Sequence, residues 1–249
     1  MREDGVRLPP GLALSWGVYP VQRRGPKPAL SVERIVATGI EFGDTQGFEA
    51  ISLQKIAAHL GVTTNAMYRY VRSKEELLVL VRDAAWGPPP PLPGTGWRDD
   101  SAAWVRAQLD RYGERPWLLD MPIHGAPVTP NLLRWAEVML QALDGTGLSH
   151  HDNLGCVLLL DGFVRAHASL MRQLAASDAE PVQSEDVGRF LVPRLAEGNY
   201  PMLTKLYTTA EYSDDVDEDG VDDDLEFGLT RILDGIQVLI SLRPKNRGS

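Results

Sequence analysis

Leu60 to Leu78, reading LGVTTNAMYRYVRSKEELL, constrains this chain more than any other stretch. A segment of helical periodicity ends at Leu60, and Gly61 follows where the chain must take a left-handed turn. Thr63 is a capping residue for a short helix to about Tyr70. Ser73 and Glu76 make a capping box for the next helix. At ~3.6 residues per turn, Met67, Tyr70 and Val71 share one side of the short helix. Asn65 and Arg69 centre the other side, with Thr64 and Tyr68 beside them. Two helices around a glycine turn, the second short and polar outward, read as a helix-turn-helix. Arginine donates to guanine edges or phosphates, asparagine pairs with adenine, and Tyr and Thr hydroxyls reach phosphates. From spacing alone, a solvated polar face is the other reading.

The surrounding residues supply the rest of a small domain over residues 27–86. Ser31 caps a helix to about Gln46, which Gly47 ends. Ser52 caps the helix from Leu53 to Leu60, and Ser73 caps the one from Lys74 to about Trp86. Ala57, small and one turn before Gly61, lets the two helices of the motif approach closely. Ile56, Leu60, Val62, Met67 and Val71 then form one core. Residues 1–26 lack periodicity and are rich in Pro and Gly, so a flexible extension is expected. It carries a basic arm, Arg23 and Arg24, continued by Lys27.

Charge divides the chain in the same place. The whole carries −9, yet residues 1–86 carry +2 and residues 87–249 carry −11. The half with the motif can approach phosphate, while the acidic half is repelled and favours docking one way round. A proline run, PPPPLP between Gly87 and Gly94, separates the halves as a stiff connector.

Beyond the connector the pattern is helical, with segments expected at 98–114, 116–121, 129–144, 149–175, 184–197 and 223–241. The fold class is therefore all-α: an N-terminal three-helix helix-turn-helix domain and a larger helical domain over 97–241. Leu158, Phe163, Leu170 and Leu174 stripe one long segment; Phe227, Leu229, Ile232, Leu233, Ile236 and Ile240 stripe the other. Glu211 to Glu226 holds ten acidic residues and no basic one, and reads as a solvated loop.

Several function classes find no support. There is no nucleophile elbow, phosphate loop or zinc motif, so no enzyme is expected. Cys156 is the single cysteine, which excludes an internal disulfide and fits a reducing compartment. The clean apolar run Leu154 to Leu160 is too short for a bilayer, and no secretory signal is legible. A cytoplasmic protein without a membrane partner is expected.

Ser31 to Trp86 resembles the DNA-binding domain of the TetR family of bacterial repressors. The resemblance is carried by LQKIAAHLGVT at Leu53–Thr63, AMYRYV at Ala66–Val71 and SKEEL at Ser73–Leu77. LLDGFVR at Leu159–Arg165 and EFGLTRILDGI at Glu226–Ile236 resemble, more loosely, the regulatory domain of the branch containing the tetracycline repressor. Together these cover residues 27–241.

The resemblance implies a double-stranded DNA operator as partner. Thr64, Asn65 and neighbouring positions of the reading helix would face bases, and Tyr68 and Lys74 match family phosphate contacts. Ser52, Gln54, Lys55, Thr63 and Arg69 complete the candidate DNA-facing set. Gln54 stands where the family more usually has a basic or small residue. Arg23, Arg24 and Lys27 would reach beside the main site, toward the minor groove, or merely aid solubility. The resemblance also implies a homodimer through 149–175 and 223–241, reading a near-palindromic operator. A small-molecule effector would sit among Trp104, Trp117, Trp135, Met139, Asp161, Arg165, His167 and Met171; each Trp and Met at such spacing also reads as plain core. No metal constellation like that of tetracycline recognition aligns here, so no metal or other cofactor is expected. Ligand and DNA would then oppose each other, as in a ligand-released repressor. The alternative is a helical binding or interaction module with weak or lost DNA binding.

Overall fold

The computed structural model describes residues 2–3, 6–18, 30–123, 125–176, 184–209 and 218–243. Eleven helices and two 3-10 segments account for nearly all the regular structure among them. The exception is a two-residue pair of strands, β1 (Arg2–Glu3) and β2 (Val6–Arg7), antiparallel to each other. The chain divides into two compact units, 1–169 with 239–249, and 170–238.

In the first unit, α1 (Leu12–Ser15) packs on α5 (Lys74–Trp86) and buries Leu14. At residues 11–18 this differs from the flexible extension expected over residues 1–26; residues 19–26 lie outside the described residues. The reason is local: Gly11 has φ 74, and its backbone approaches Val79 and the Glu76 carbonyl so closely that a Cβ would lie 3.0–3.1 Å from them. Trp16 Nε1 donates to the Val128 carbonyl at 3.0 Å, a long-range tie that periodicity does not reveal.

Helices α2 (Val32–Gln46), α3 (Leu53–His59), α4 (Thr64–Met67) and α5 form the reading domain. Four side-chain caps start them. Ser31, Ser52, Thr63 and Ser73 hydroxyls accept from the N–H groups of Arg34, Lys55, Ala66 and Glu76 at 3.1–3.3 Å. Glu76 reaches back past the cap and accepts from the Arg72 N–H, a variant of the box expected from sequence, in which it would accept from Ser73. Ile35, Ile51, Ile56, Met67, Val71 and Leu77 are fully buried at the centre. Each such side chain contributes about 1.5–3 kcal/mol of transfer free energy.

The 3-10 segment Phe48–Ala50 joins α2 to α3. After α5 the chain runs through the proline connector into α6 (Trp97–Glu114), the 3-10 helix Pro116–Asp120 and α7 (Pro130–Leu143). Trp86, Trp104, Tyr112 and Trp135 meet edge to face, with centroids 5.2–6.5 Å apart. Two buried indoles of this group find carbonyls: Trp104 Nε1 donates to Trp135 O at 2.8 Å, and Trp135 Nε1 to Gly87 O at 3.0 Å. Asp83 on α5 caps α7 from a distance. It accepts from the N–H groups of Asn131 and Leu132 at 2.9 and 3.2 Å, and from Asn131 Nδ2 at 3.1 Å.

Helix α8 (His150–Ala175) opens on a Ser149–Asp152 capping box, so Asp152 beside His150 and His151 serves a helix start. Arg243 pairs with the same carboxylate. By length and composition α8 is long and apolar enough to cross a membrane. Val157, Leu160 and Val164 are buried in the protein, however, and Arg165 hydrogen-bonds within it.

The second unit holds the end of α8, α9 (Ser184–Glu197), α10 (Pro201–Thr208) and most of α11 (Glu218–Ser241). Helix α9 packs on α10. Two differences from the sequence reading fall here. Helix α10 is additional, started by Pro201 at its first position. Helix α11 starts at Glu218, so residues 218–226 of the acidic run are helical rather than loop. The positive end of the helix dipole favours acidic residues in a first turn. Residues 210–217 lie outside the described residues.

Candidate nucleic-acid interface

Helix α3 ends in a Schellman turn: Val62 N–H donates to Ala57 O at 3.0 Å and Gly61 N–H to Ala58 O at 3.2 Å. Gly61 takes φ 68 to allow it. That turn aims α4 across α3. Ala57 and Met67 are buried between them, at 1% and 0% exposure. With Met67 and Val71 held inside, the other side of α4 must face outward. Asn65, Tyr68 and Arg69 are exposed, and Thr64 is partly so.

The reading helix is shorter than sequence spacing predicts, Thr64–Met67 rather than to Tyr70. Its end tightens into i to i+3 bonds, Arg69 N–H to Ala66 O at 3.3 Å and Tyr70 N–H to Met67 O at 2.8 Å. Tyr68 and Arg69 thus leave from a turn at the helix end.

The remaining candidates flank this face. Gln54 and Lys55 are exposed in the first turn of α3, and Lys74 is exposed in the first turn of α5. Lys74 Nζ sits 5.9 Å from the centre of the Phe48 ring. Ser52 and Thr63 use their hydroxyl lone pairs as caps. Three helix starts therefore carry Ser52–Lys55, Thr63–Asn65 and Ser73–Lys74, with the Lys55, Ala66 and Glu76 amides taken by the caps. Arg23, Arg24 and Lys27 lie outside the described residues.

The candidate effector residues separate into two groups. Trp104, Trp135 and Met139 are closed core, 0–4% exposed. Trp117, equally buried, faces the reading domain instead, donating to Asp44 Oδ1 at 2.7 Å. Asp161, Arg165, His167 and Met171 on α8 are each half-buried. His167 lies beside the Phe163 ring, 6.1 Å between centroids.

Asp161 and Arg165 belong to a cluster with Arg82 and Tyr112, which sequence spacing did not identify. Arg165 Nη1 donates to the Tyr112 hydroxyl at 3.4 Å, and its Nη2 to the carbonyls of Leu119 and Met121 at 2.7 and 3.3 Å. Burial pushes the Asp161 carboxyl above its ordinary range, against the opposing pull of Arg82 and Arg165. Burial likewise raises the Tyr112 phenol and lowers the Arg82 guanidinium. The sequence signal was Asp161, an ionisable residue inside an apolar helix; nothing in the sequence marked Arg82 or Tyr112.

Comparison with known proteins agrees with this geometry. The family described as "Bacterial regulatory proteins, tetR family" matches residues 29–81. The family described as "Tetracyclin repressor-like, C-terminal domain" matches residues 90–240. The chain belongs to the tetR family of bacterial regulatory proteins. It is 33% identical over 240 residues to the HTH-type transcriptional repressor DrrR1 of Streptomyces coeruleorubidus, covering 93% of this chain and 86% of that one. An HTH-type transcriptional regulator of Saccharopolyspora erythraea is 27% identical over 187 residues, 74% of this chain and 78% of the relative. Among solved structures, apo ActR of Streptomyces coelicolor superposes with a TM-score of 0.69 at 24% identity, over 87% of this chain and 99% of its own. ActR in complex with actinorhodin gives the same values. As a tetR-family member the chain is a DNA-binding transcriptional regulator with an all-α fold.

Proposed function

We propose that this protein is a cytoplasmic repressor that binds a near-palindromic operator as a homodimer and is released by a small molecule. The observation that carries the reading is the outward face of α4. Its apolar side is locked in the core while Asn65, Tyr68 and Arg69 stay free of that core. Thr64 and Asn65 read bases, Tyr68, Arg69 and Lys74 hold phosphates, and Gln54 and Lys55 support them.

One short reading helix makes a small footprint, and a second copy doubles it. Two long helices each offer a face. Helix α8 leaves Leu158 and Leu159 at 61% and 52% exposure, with the unobstructed Gly155 and Gly162 on the same side. Helix α11 leaves Phe227 and Val238 at 67% and 58%, with Gly235 unobstructed between them. Exposed apolar side chains flanked by glycine suit close helix packing against a partner.

The binding of actinorhodin by ActR is a property of that protein. It supports small-molecule release here, through the partly exposed polar cluster on α8. DNA and effector then favour different forms, and each weakens the other to the same degree.

The test is titration of a selected operator with variants. N65A is expected to lose about 1–3 kcal/mol and to relax base preference at one position per half-site. K74A is expected to weaken all sequences alike and to lower the salt slope by about one. L158R is expected to sediment as a monomer and bind a half-site only. Wild-type affinity and specificity in N65A would overturn the reading.

A further inference from the structure

The segment Arg115–Met121 is fastened on two sides. Toward the reading domain, Trp117 Nε1 donates to Asp44 Oδ1 at 2.7 Å, and Arg115 Nε lies 3.4 Å from the same oxygen. Arg115 Nη1 also donates to the Ala85 carbonyl of α5 at 3.4 Å. The indole lies against Gly43 of α2, where a Cβ would come within 2.5 Å of the ring. Toward α8, the carbonyls of Leu119 and Met121 are held by a single group, the Arg165 guanidinium. Between the two sides, Trp117, Leu118, Leu119 and Met121 are buried. A packed segment of this kind moves as a piece rather than deforming continuously.

The α8 side is short of negative charge. Among the described residues, Arg82 and Arg165 face the carboxylate of Asp161 and the neutral phenol of Tyr112. Arg82 Nε is buried and has no hydrogen-bond acceptor among the described residues. Arg165 donates to main-chain carbonyls and a phenol rather than to a carboxylate. A guanidinium offers five N–H donors in a planar fork, and an oxyanion matches two of them at once. Both arginines and Asp161 are half-buried, with part of each residue open to solvent.

We propose that Arg82 and Arg165 receive an anionic group of the effector, and that Arg115–Met121 passes its arrival to the reading domain through Asp44. The proposal rests on the ligand-responsive reading above. An oxyanion draws the Arg165 N–H groups away from Leu119 and Met121 and engages the idle Arg82 Nε. The freed segment shifts, and Trp117 and Arg115 carry the shift to α2 at Asp44 and to α5 at Ala85. Both helices hold the reading face, so its placement changes. The coupling is reciprocal: operator binding fixes the segment and weakens the anion.

The experiment uses the full-length protein, its selected operator and a panel of aromatic carboxylic acids, each paired with its carboxamide. It starts with 2-naphthoic acid and anthraquinone-2-carboxylic acid. Calorimetry is expected to show at least one acid binding about tenfold or more tightly than its amide. R82Q and R165Q are each expected to lose that preference, and R82K, which keeps the charge, to retain part of it. Amides binding as well as acids, no acid binding at all, or R82Q and R165Q behaving as wild type overturns the anion site. Any of these leaves the operator reading standing, whereas failure to bind an operator removes both.

The relay is tested without ligand by a double-mutant cycle on operator affinity. R165Q is expected to change affinity by about two- to thirtyfold in the wild-type background, and to change it little in D44A or W117F. Additive effects overturn the relay. Native circular dichroism and melting confirm that each variant is folded, and R165K provides a milder form of the same lesion.

Discussion

Asp83 joins two parts of the chain that the proline connector separates, and its removal has a calculable cost. The carboxylate is 7% exposed and accepts from the Asn131 and Leu132 N–H groups and from Asn131 Nδ2. D83A leaves two first-turn N–H groups of α7 without their acceptor. Hydrogen bonds to a charged group contribute about 1.5–3 kcal/mol each. Asn131 and Leu132 are themselves only half-buried, so water recovers part of the loss. The net is about 2–4 kcal/mol, between the loss of an ordinary helix cap and the breaking of a buried ion pair. For a chain of this size that lowers Tm by roughly 5–15 °C. D83N keeps one acceptor oxygen for the Asn131 and Leu132 N–H groups but sets its NH2 against Asn131 Nδ2, so it loses that bond and the interaction with the helix dipole, about 1–2 kcal/mol in all. Thermal unfolding followed by far-ultraviolet circular dichroism measures both, and hydrogen exchange at residues 131–134 localises the effect. The reasoning fails if D83A melts within about 2 °C of wild type, or if D83N is as damaging as D83A.

Other outcomes follow from the same structure. G43A puts a methyl into the Trp117 ring at 2.5 Å; overpacking costs about 1–3 kcal/mol against about 1 kcal/mol of helix propensity gained, so the variant is destabilised and its tryptophan emission shifts red. Asp161 carries a folded-state pKa raised by burial, so the folded chain holds that proton more tightly than the unfolded one. Wild type therefore loses stability as pH rises from the ordinary carboxyl pKa through the raised one. D161N is expected to flatten this pH dependence across the acid range, as urea titrations across pH will show. Cys156 is 4% exposed and burial raises its thiol pKa; native protein is expected to react with Ellman's reagent far more slowly than protein in denaturant.

The elements legible in sequence are those written in local chemistry. Ser31, Ser52, Thr63 and Ser73 announce helix starts because capping acts over three residues. Gly61 announces the turn because few other residues take its φ. The outward set on α4 follows from knowing where Met67 and Val71 must go. Boundaries decided by tertiary contact were missed. The packing of α1 depends on Val79 and Val128, far along the chain. Helix α10 needs α9 beneath it. The effector candidates show the same division. Periodicity identified Trp104, Trp135 and Met139 as apolar, and the structure closes them into core. Arg82 and Tyr112 join Asp161 and Arg165 only through α5, α6 and α8 meeting in space, which no spacing within one helix displays.

Selection of bound duplexes from a random DNA pool by the purified protein, followed by titration of the winner across salt concentration, tests the central claim most directly. A dimeric operator reader enriches a two-fold-symmetric site, with half-sites spaced by about one helical turn, and loses affinity steeply as salt rises. No enriched sequence at low salt, or enrichment of a site without two-fold symmetry, would contradict it.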